Sequence, residues 1–309
     1  MSARNLVLSL LVGIAVMSGC ASNTGYSSSA PVPLLISCDG KKYNEEGHYN
    51  TTDLIARMAG FKKNEARLLA NFSQAPDGLW FRYSAPSVGL WGFALRPFWS
   101  YPSNVMNVLH SLHSGNHVEV LERRKRLQRE LLSFSRPYKE TDLWKVGFVI
   151  HAMGDSYAHS YGEMHDLHGY NEYFGHAFDN GYSDNQPDMI AMNDNYLIYI
   201  QYVEALFNAL LQGDETVGRI KLSDFIKRIK TEVEVNHVSN DDMVKIIRTY
   251  TYCGPEKSLR EWPASGMKIA REDEETINLN DDDPHEWGTI ELSKVSRFLS
   301  EMRERLERE

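Results

Sequence analysis

The sequence predicts an all-α fold: a single multi-helix domain. Three observations carry that prediction. Apolar residues recur at three- and four-residue spacings in almost every segment beyond residue 50. Convincing period-two alternation is absent. The predicted helices also follow one another so closely that little chain is left for a sheet.

The elements follow in order. Thr51 or Thr52 is placed to cap a helix through Leu54, Ile55, Met58 and Ala59, with Gly60 as its stop. Asn64 opens a second helix through Leu68 and Leu69, which Ala75-Pro76-Asp77-Gly78 breaks. Residues 79–103, with Trp80, Trp91, Phe98 and Trp99, read as a long ordered loop. Periodicity then predicts helices at 104–114, 117–134, 140–161, 193–213, 222–234, 239–250 and 289–307. The polar stretch from Pro255 to Trp287 reads as a surface excursion before the last helix. No internal repeat is visible.

Composition narrows the function classes. The 309-residue chain carries a net charge of −9 and no long basic run, so no stable complex with nucleic acid is expected. At the N-terminus, Arg4 precedes an apolar run from Leu6 to Met17 that is too short to span a bilayer in the mature protein. The run ends at Met17-Ser18-Gly19-Cys20, which resembles a bacterial lipobox. That resemblance implies a signal peptide over 1–19 and lipidation of Cys20. Ala21 rather than Asp then implies the outer membrane, with the chain facing the periplasm. Residues 20–36 read as a flexible tether and 37–309 as the helical domain. In an oxidising compartment Cys38 and Cys253 are available for one disulfide, the alternative being two independent thiols.

The densest chemistry lies in HAMGDSYAH. His151, Asp155 and His159 are spaced four residues apart, so a helix would present two imidazoles and a carboxylate on one face. His165, His168, His176 and Asp188 follow within one short stretch. Nitrogen and oxygen donors in such number point to a metal site, and His/Asp sites are more often catalytic than structural. Gly154, beside Asp155, leaves room for a neighbour to approach closely. A buried His–Asp pair can also be satisfied by mutual hydrogen bonding, but the third member at His159 favours a metal.

His151-Ala-Met-Gly154-Asp155 resembles the His-x-x-Gly-Asp signature of the zinc-dependent phospholipase C and single-strand nuclease superfamily. Three further segments resemble a bacterial lipoprotein branch of it, in the same order. They are Gly47-His48-Tyr49-Asn50-Thr51 through Ala59-Gly60-Phe61, then Phe72-Ser73-Gln74-Ala75-Pro76-Asp77, and Gly175-His176-Ala177 with Pro187-Asp188. The resemblance covers residues 43–190.

It implies an all-helical enzyme with a metal cluster in a cleft, holding two or three zinc ions. Asp77, His151, Asp155 and His110 (alternate His113) would hold the first ion, and Asp155 would bridge to a second that also uses His48. His159, His176 and Asp188 would hold the remaining one, with His165, His168 and Glu172 as alternates. Two departures stand out. His159 comes four residues after the Asp, where the best-known enzymes place a His at the position of Tyr161. Those enzymes also ligate zinc through a mature N-terminal Trp, for which Glu46 is the available substitute.

The implied activity is hydrolysis of phosphate esters at the cell envelope, phospholipase C-like, with Asp77 as catalytic residue and zinc as cofactor. Substrates would be phosphate esters, phospholipid among them. A nuclease is the further alternative, and the acidic net charge counts against it. The competing class is a non-catalytic envelope lipoprotein whose metal-stabilised helical scaffold binds a partner protein.

Overall fold

The computed structural model describes residues 44–77, 85, 88, 100–139, 142–172, 175, 188–213, 215–250, 268–270, 276–278 and 284–308. Side chains are described in these segments except at 44–46, 215, 249, 268–270, 276–278 and 284–292. Every described residue belongs to one compact unit, Pro33–Glu309.

Helix takes 73% of the described residues, about twice the usual share, so the chain is mainly α-helical. The α-helices are α1 (Thr51–Met58), α2 (Lys63–Gln74), α3 (Ser100–Asn104), α4 (His117–Ser133) and α5 (Leu143–Ala158). They continue with α6 (Asn195–Leu210), α7 (Glu215–Glu234), α8 (Asn240–Tyr250) and α9 (Pro284–Glu307). Two π-helical turns, Asn44–Asn50 and Val105–Leu109, and a 3₁₀ turn, Ala75–Asp77, abut them. Two short antiparallel pairs of strands are also described: β1 (Ser160–Tyr161) with β2 (His168–Gly169), and β3 (Lys268–Ala270) with β4 (Thr276–Asn278). No helix among the described residues is long and apolar enough to cross a membrane.

Helix α5 is the centre of the core. Every residue from Val146 to Ala158 is buried, and the helix packs on α2, α4 and α6. Gly147 makes the closest of these contacts possible, because a Cβ there would fall 2.2 Å from Phe72 Cβ. At the other end of α2's hairpin, α1 stops in a Schellman motif. Gly60 takes φ +99°, its N–H donates to Arg57 O, and the Phe61 N–H donates to Ala56 O. The capping box that starts α4 is formed by Asn116 and Glu119.

Several predicted boundaries are corrected. Thr51 and Thr52 do not cap α1, because the π-helical turn runs straight into it. Their hydroxyls bond instead to Tyr199 at 2.7 Å and to Ser73 at 3.1 Å. The helix expected at 104–114 begins at Ser100 and ends at Leu109. Ser111, at φ +49°, turns the chain and donates to Ala152 O at 2.7 Å. The helix expected at 140–161 ends at Ala158, where Ser160 Oγ donates to Tyr157 O and β1 begins. The last helix starts at Pro284, whose missing N–H costs nothing at a first helical position. Of the expected loop at 79–103, the described Tyr101 lies buried in α3. Trp80, Phe81, Trp91, Phe93, Phe98 and Trp99 lie outside the described residues.

Candidate metal centre

Four separate stretches of chain deliver side chains to one place. His48 comes from the first π-helical turn, Asp77 from the end of the 3₁₀ turn that stops α2, and His110 from the cap of the second π-helical turn. His151 and Asp155 come from α5, one helical turn apart, and His159 is that helix's C-cap. Asp155 is the hub. Its Oδ1 lies 3.0 Å from His48 Nε2, and its Oδ2 lies 3.1 Å from His110 Nδ1, 3.1 Å from His151 Nε2 and 3.6 Å from His159 Nδ1. Asp77 stands opposite, with Oδ2 3.5 Å from His48 Nε2 and Oδ1 3.8 Å from His151 Nε2. Gly154 opens the room these rings need: a Cβ there would come 3.1 Å from the His48 ring and 3.2 Å from the Tyr202 hydroxyl.

Backbone carbonyls fix two of the imidazoles. His151 Nδ1 donates to Ser73 O at 2.9 Å, so the neutral ring carries its lone pair at Nε2. That lone pair faces two carboxylates. His159 Nδ1 likewise donates to His110 O at 2.7 Å, which leaves Nε2 as its lone-pair nitrogen. A lone pair set against carboxylate oxygens is repulsive unless a proton or a cation lies between them, or a neighbour such as His110 Nδ1, 3.2 Å from His151 Nε2, donates a hydrogen bond to it. At His151 burial lowers the pKa and outweighs the raising effect of Asp155 and Asp77, so the proton is disfavoured there. At His48 burial also lowers the pKa, but the charges of Asp155, Asp77 and Asp188 outweigh it and the net direction is up. Burial works to raise the Asp155 carboxyl. The imidazoles of His159, His151 and His48, with the His110 hydrogen bond, outweigh it and hold that carboxyl well below the usual range.

This donor set fits a divalent cation. His48, His151 and Asp155 form one group and Asp77, His110 and His151 another, each with donor atoms within 4.8 Å of one another. They share His151, whose one lone-pair nitrogen can serve a single ion at a time. Two ligands on a tetrahedral zinc stand roughly 3.3 Å apart, against 3.0 to 3.8 Å for the His–Asp contacts of His48 and His151. Asp77 Oδ2 is buried and takes no hydrogen bond among the described residues. Neither Asp77 nor Asp155 pairs with a Lys or Arg among them. Buried His/Asp groups here could therefore hold a metal ion, of a kind the donors alone do not specify.

Other residues singled out from the sequence fall elsewhere. His113 Nδ1 accepts from the Gly115 N–H at 3.0 Å, and burial together with Arg123 lowers its pKa to about 4. His165 is exposed beside Glu163. His168 sits on β2, near Asp166 and stacked on Tyr161. Glu172 accepts from Ser103 Oγ at 3.0 Å. None of these four joins either group. Asp188 is near enough to raise the His48 pKa but is not in a group either. His176, Cys20, Cys38, Cys253 and the Glu46 side chain lie outside the described residues. Sequence reasoning missed the Ser73 carbonyl as the group that orients His151, although Ser73 lies inside the motif that supplied Asp77. Comparison of the chain with protein-family models, with curated proteins and with solved structures finds no match.

Proposed function

We propose that the protein is a metal-dependent hydrolase of phosphate esters, with zinc as the metal and phospholipase C-like chemistry at the cell envelope. One observation carries the reading: four imidazoles and two carboxylates from four chain segments converge, and neither acid pairs with a Lys or Arg among the described residues. Bound divalent ions supply hydroxide near neutral pH and offset charge on a phosphate oxygen. The chain's own groups do the rest. His48, Asp77, His110, His151 and Asp155 would hold the ions, and the Ser73 carbonyl keeps His151 Nε2 turned inward. Asp77 is the carboxylate that retains some exposure, 16%, and so is the group able to orient a water and take its proton. The lipobox resemblance at Cys20 puts phospholipid headgroups within reach.

The depth of the cluster favours a second reading. His151, His110, His48 and Asp155 are each at most 2% exposed. A closed site of that kind suits a scaffold that binds a partner protein and uses metal for stability.

The test is elemental analysis of the purified protein together with hydrolysis of bis(p-nitrophenyl) phosphate and of phospholipid. The hydrolase reading expects two or three zinc ions per chain, turnover that chelation abolishes, and a loss of roughly 100-fold or more in kcat for Asp77→Asn. Bound metal without turnover on any phosphate ester would leave the scaffold. No bound metal would remove both.

A further inference from the structure

The seam between α4 and α9 opens into a cleft of about 350 Å³ lined by Glu122, Arg126, Arg129, Glu130, Arg305 and Arg308. It shares no residue with the histidine groups. Four guanidinium groups face two carboxylates in a chain whose net charge is −9. Both acids are already engaged. Glu130, almost fully buried, takes three hydrogen bonds of 2.7 to 3.1 Å from Nε and Nη2 of Arg305, and Glu122 pairs with Lys125 at 2.8 Å. Arg126 donates one N–H to Leu306 O, and Arg308 donates one to Glu304. Each guanidinium has five N–H donors, so most of the donors of Arg126 and Arg308 are not used by these bonds. Glu304 and Glu307 near the end of α9 are taken up by Arg308 and Arg303. The helix end itself contributes only about half a negative charge. Arg126 and Arg129 are left without a carboxylate partner of their own among the described ion pairs. Behind the cleft, burial is the main cause that holds the Arg123 guanidinium down to about 10; Glu307 works against it, and Arg303 and Arg126 add smaller lowering contributions.

We propose that this cleft is a binding site for a phosphate-bearing anion, held by the guanidinium forks of Arg126, Arg129 and Arg308 beside the Arg305–Glu130 pair. Planar guanidiniums match the spacing of phosphate oxygens, and the volume suits a small oligophosphate or a lipid headgroup. The Glu130–Arg305 bonds hold one wall in place before any ligand arrives. The site is independent of the hydrolase reading and stands or falls separately.

The test uses the full chain carrying Cys20→Ser, which leaves nothing to acylate at that position. It is titrated at low salt with inorganic pyrophosphate by calorimetry, and its sedimentation with phosphatidylglycerol vesicles is compared with that on phosphatidylcholine. The same measurements are made on Arg129→Gln/Arg308→Gln and on a control, Lys221→Gln, an exposed residue of α7. Circular dichroism checks that each variant is folded. The double variant should bind at least tenfold more weakly and the control should match the parent. A loss seen with pyrophosphate identifies a free phosphate ligand, and a loss confined to phosphatidylglycerol identifies a headgroup. Pyrophosphate taken up at the histidine cluster is common to all three proteins and cancels in the comparison. Absence of binding in both arms, or equal binding by parent and double variant, would overturn the proposal.

Discussion

Replacing Asp155 by Asn changes one charge and almost no volume, so it probes the electrostatics of the centre without opening a cavity. The carboxylate it removes lies 3.0 to 3.1 Å from His48 Nε2, His110 Nδ1 and His151 Nε2. An amide there must either turn N–H groups toward imidazole lone pairs or offer one neutral oxygen, and neither offsets a divalent charge. Loss of a ligand should cost at least roughly 100-fold in metal affinity, since losing even an outer-shell partner costs 10- to 100-fold. A metal present at about 100 times its Kd stabilises the native state by about 2.7 kcal/mol. In a domain of this size 1 kcal/mol moves Tm by about 2–4 °C. Chelation should therefore lower the wild-type Tm by roughly 5–10 °C and leave Asp155→Asn unmoved. Differential scanning calorimetry with and without chelator reads the shift, and elemental analysis reads the metal. The reasoning is refuted if the wild type melts at one temperature in both buffers, or if the variant keeps its full complement of metal.

Three further outcomes are expected. Gly147→Ala should destabilise by about 2–4 kcal/mol in urea unfolding, because the new Cβ would meet Phe72 Cβ at 2.2 Å and the Phe72 backbone carbon at 2.8 Å. Gly60→Ala should cost about 1–2 kcal/mol, since φ is +99° there and the Cβ would sit 2.9 Å from Gln212 O. His113 titrates near 6.5 when unfolded and about 4 when folded, so its neutral form contributes stability that is whole above pH 6.5 and lost as pH falls toward 4. His113→Asn keeps an acceptor for the Gly115 N–H and should flatten that acid limb by about 2–3 kcal/mol, measured as urea midpoints across pH.

Helical periodicity was legible wherever one face is apolar, as in Leu68–Leu69 of α2 and Val146–Ile150 of α5. What it could not reveal is where a helix stops for a tertiary reason. His110 and His159 both read as helical, yet each stands at a cap, and each is tied to the other by the bond from His159 Nδ1 to His110 O. Bonds between residues 49 apart leave no local signal. The threonines failed as caps for the same reason, being drawn to Tyr199 and Ser73 across the core. Within the site, His151 and Asp155 were readable because i and i+4 is a property of the helix itself. That His48, Asp77 and His110 reach the same point depends on packing that spacing cannot encode, and only the resemblance of whole motifs suggested it.

The donors are strung along the chain at 48, 77, 110, 151 and 155. A chain elongating from its N-terminus owns only His48, Asp77 and His110 until α5 has been synthesised, and even then their lone pairs meet only after α2 has docked on α5 across Gly147. The identity of any metal held there would then be decided late, by which cations surround the protein at the moment α5 packs. Two copies of one sequence that fold in different surroundings would carry different metals, and the supply at the place of folding would be as much a determinant of the proposed centre as its ligands are.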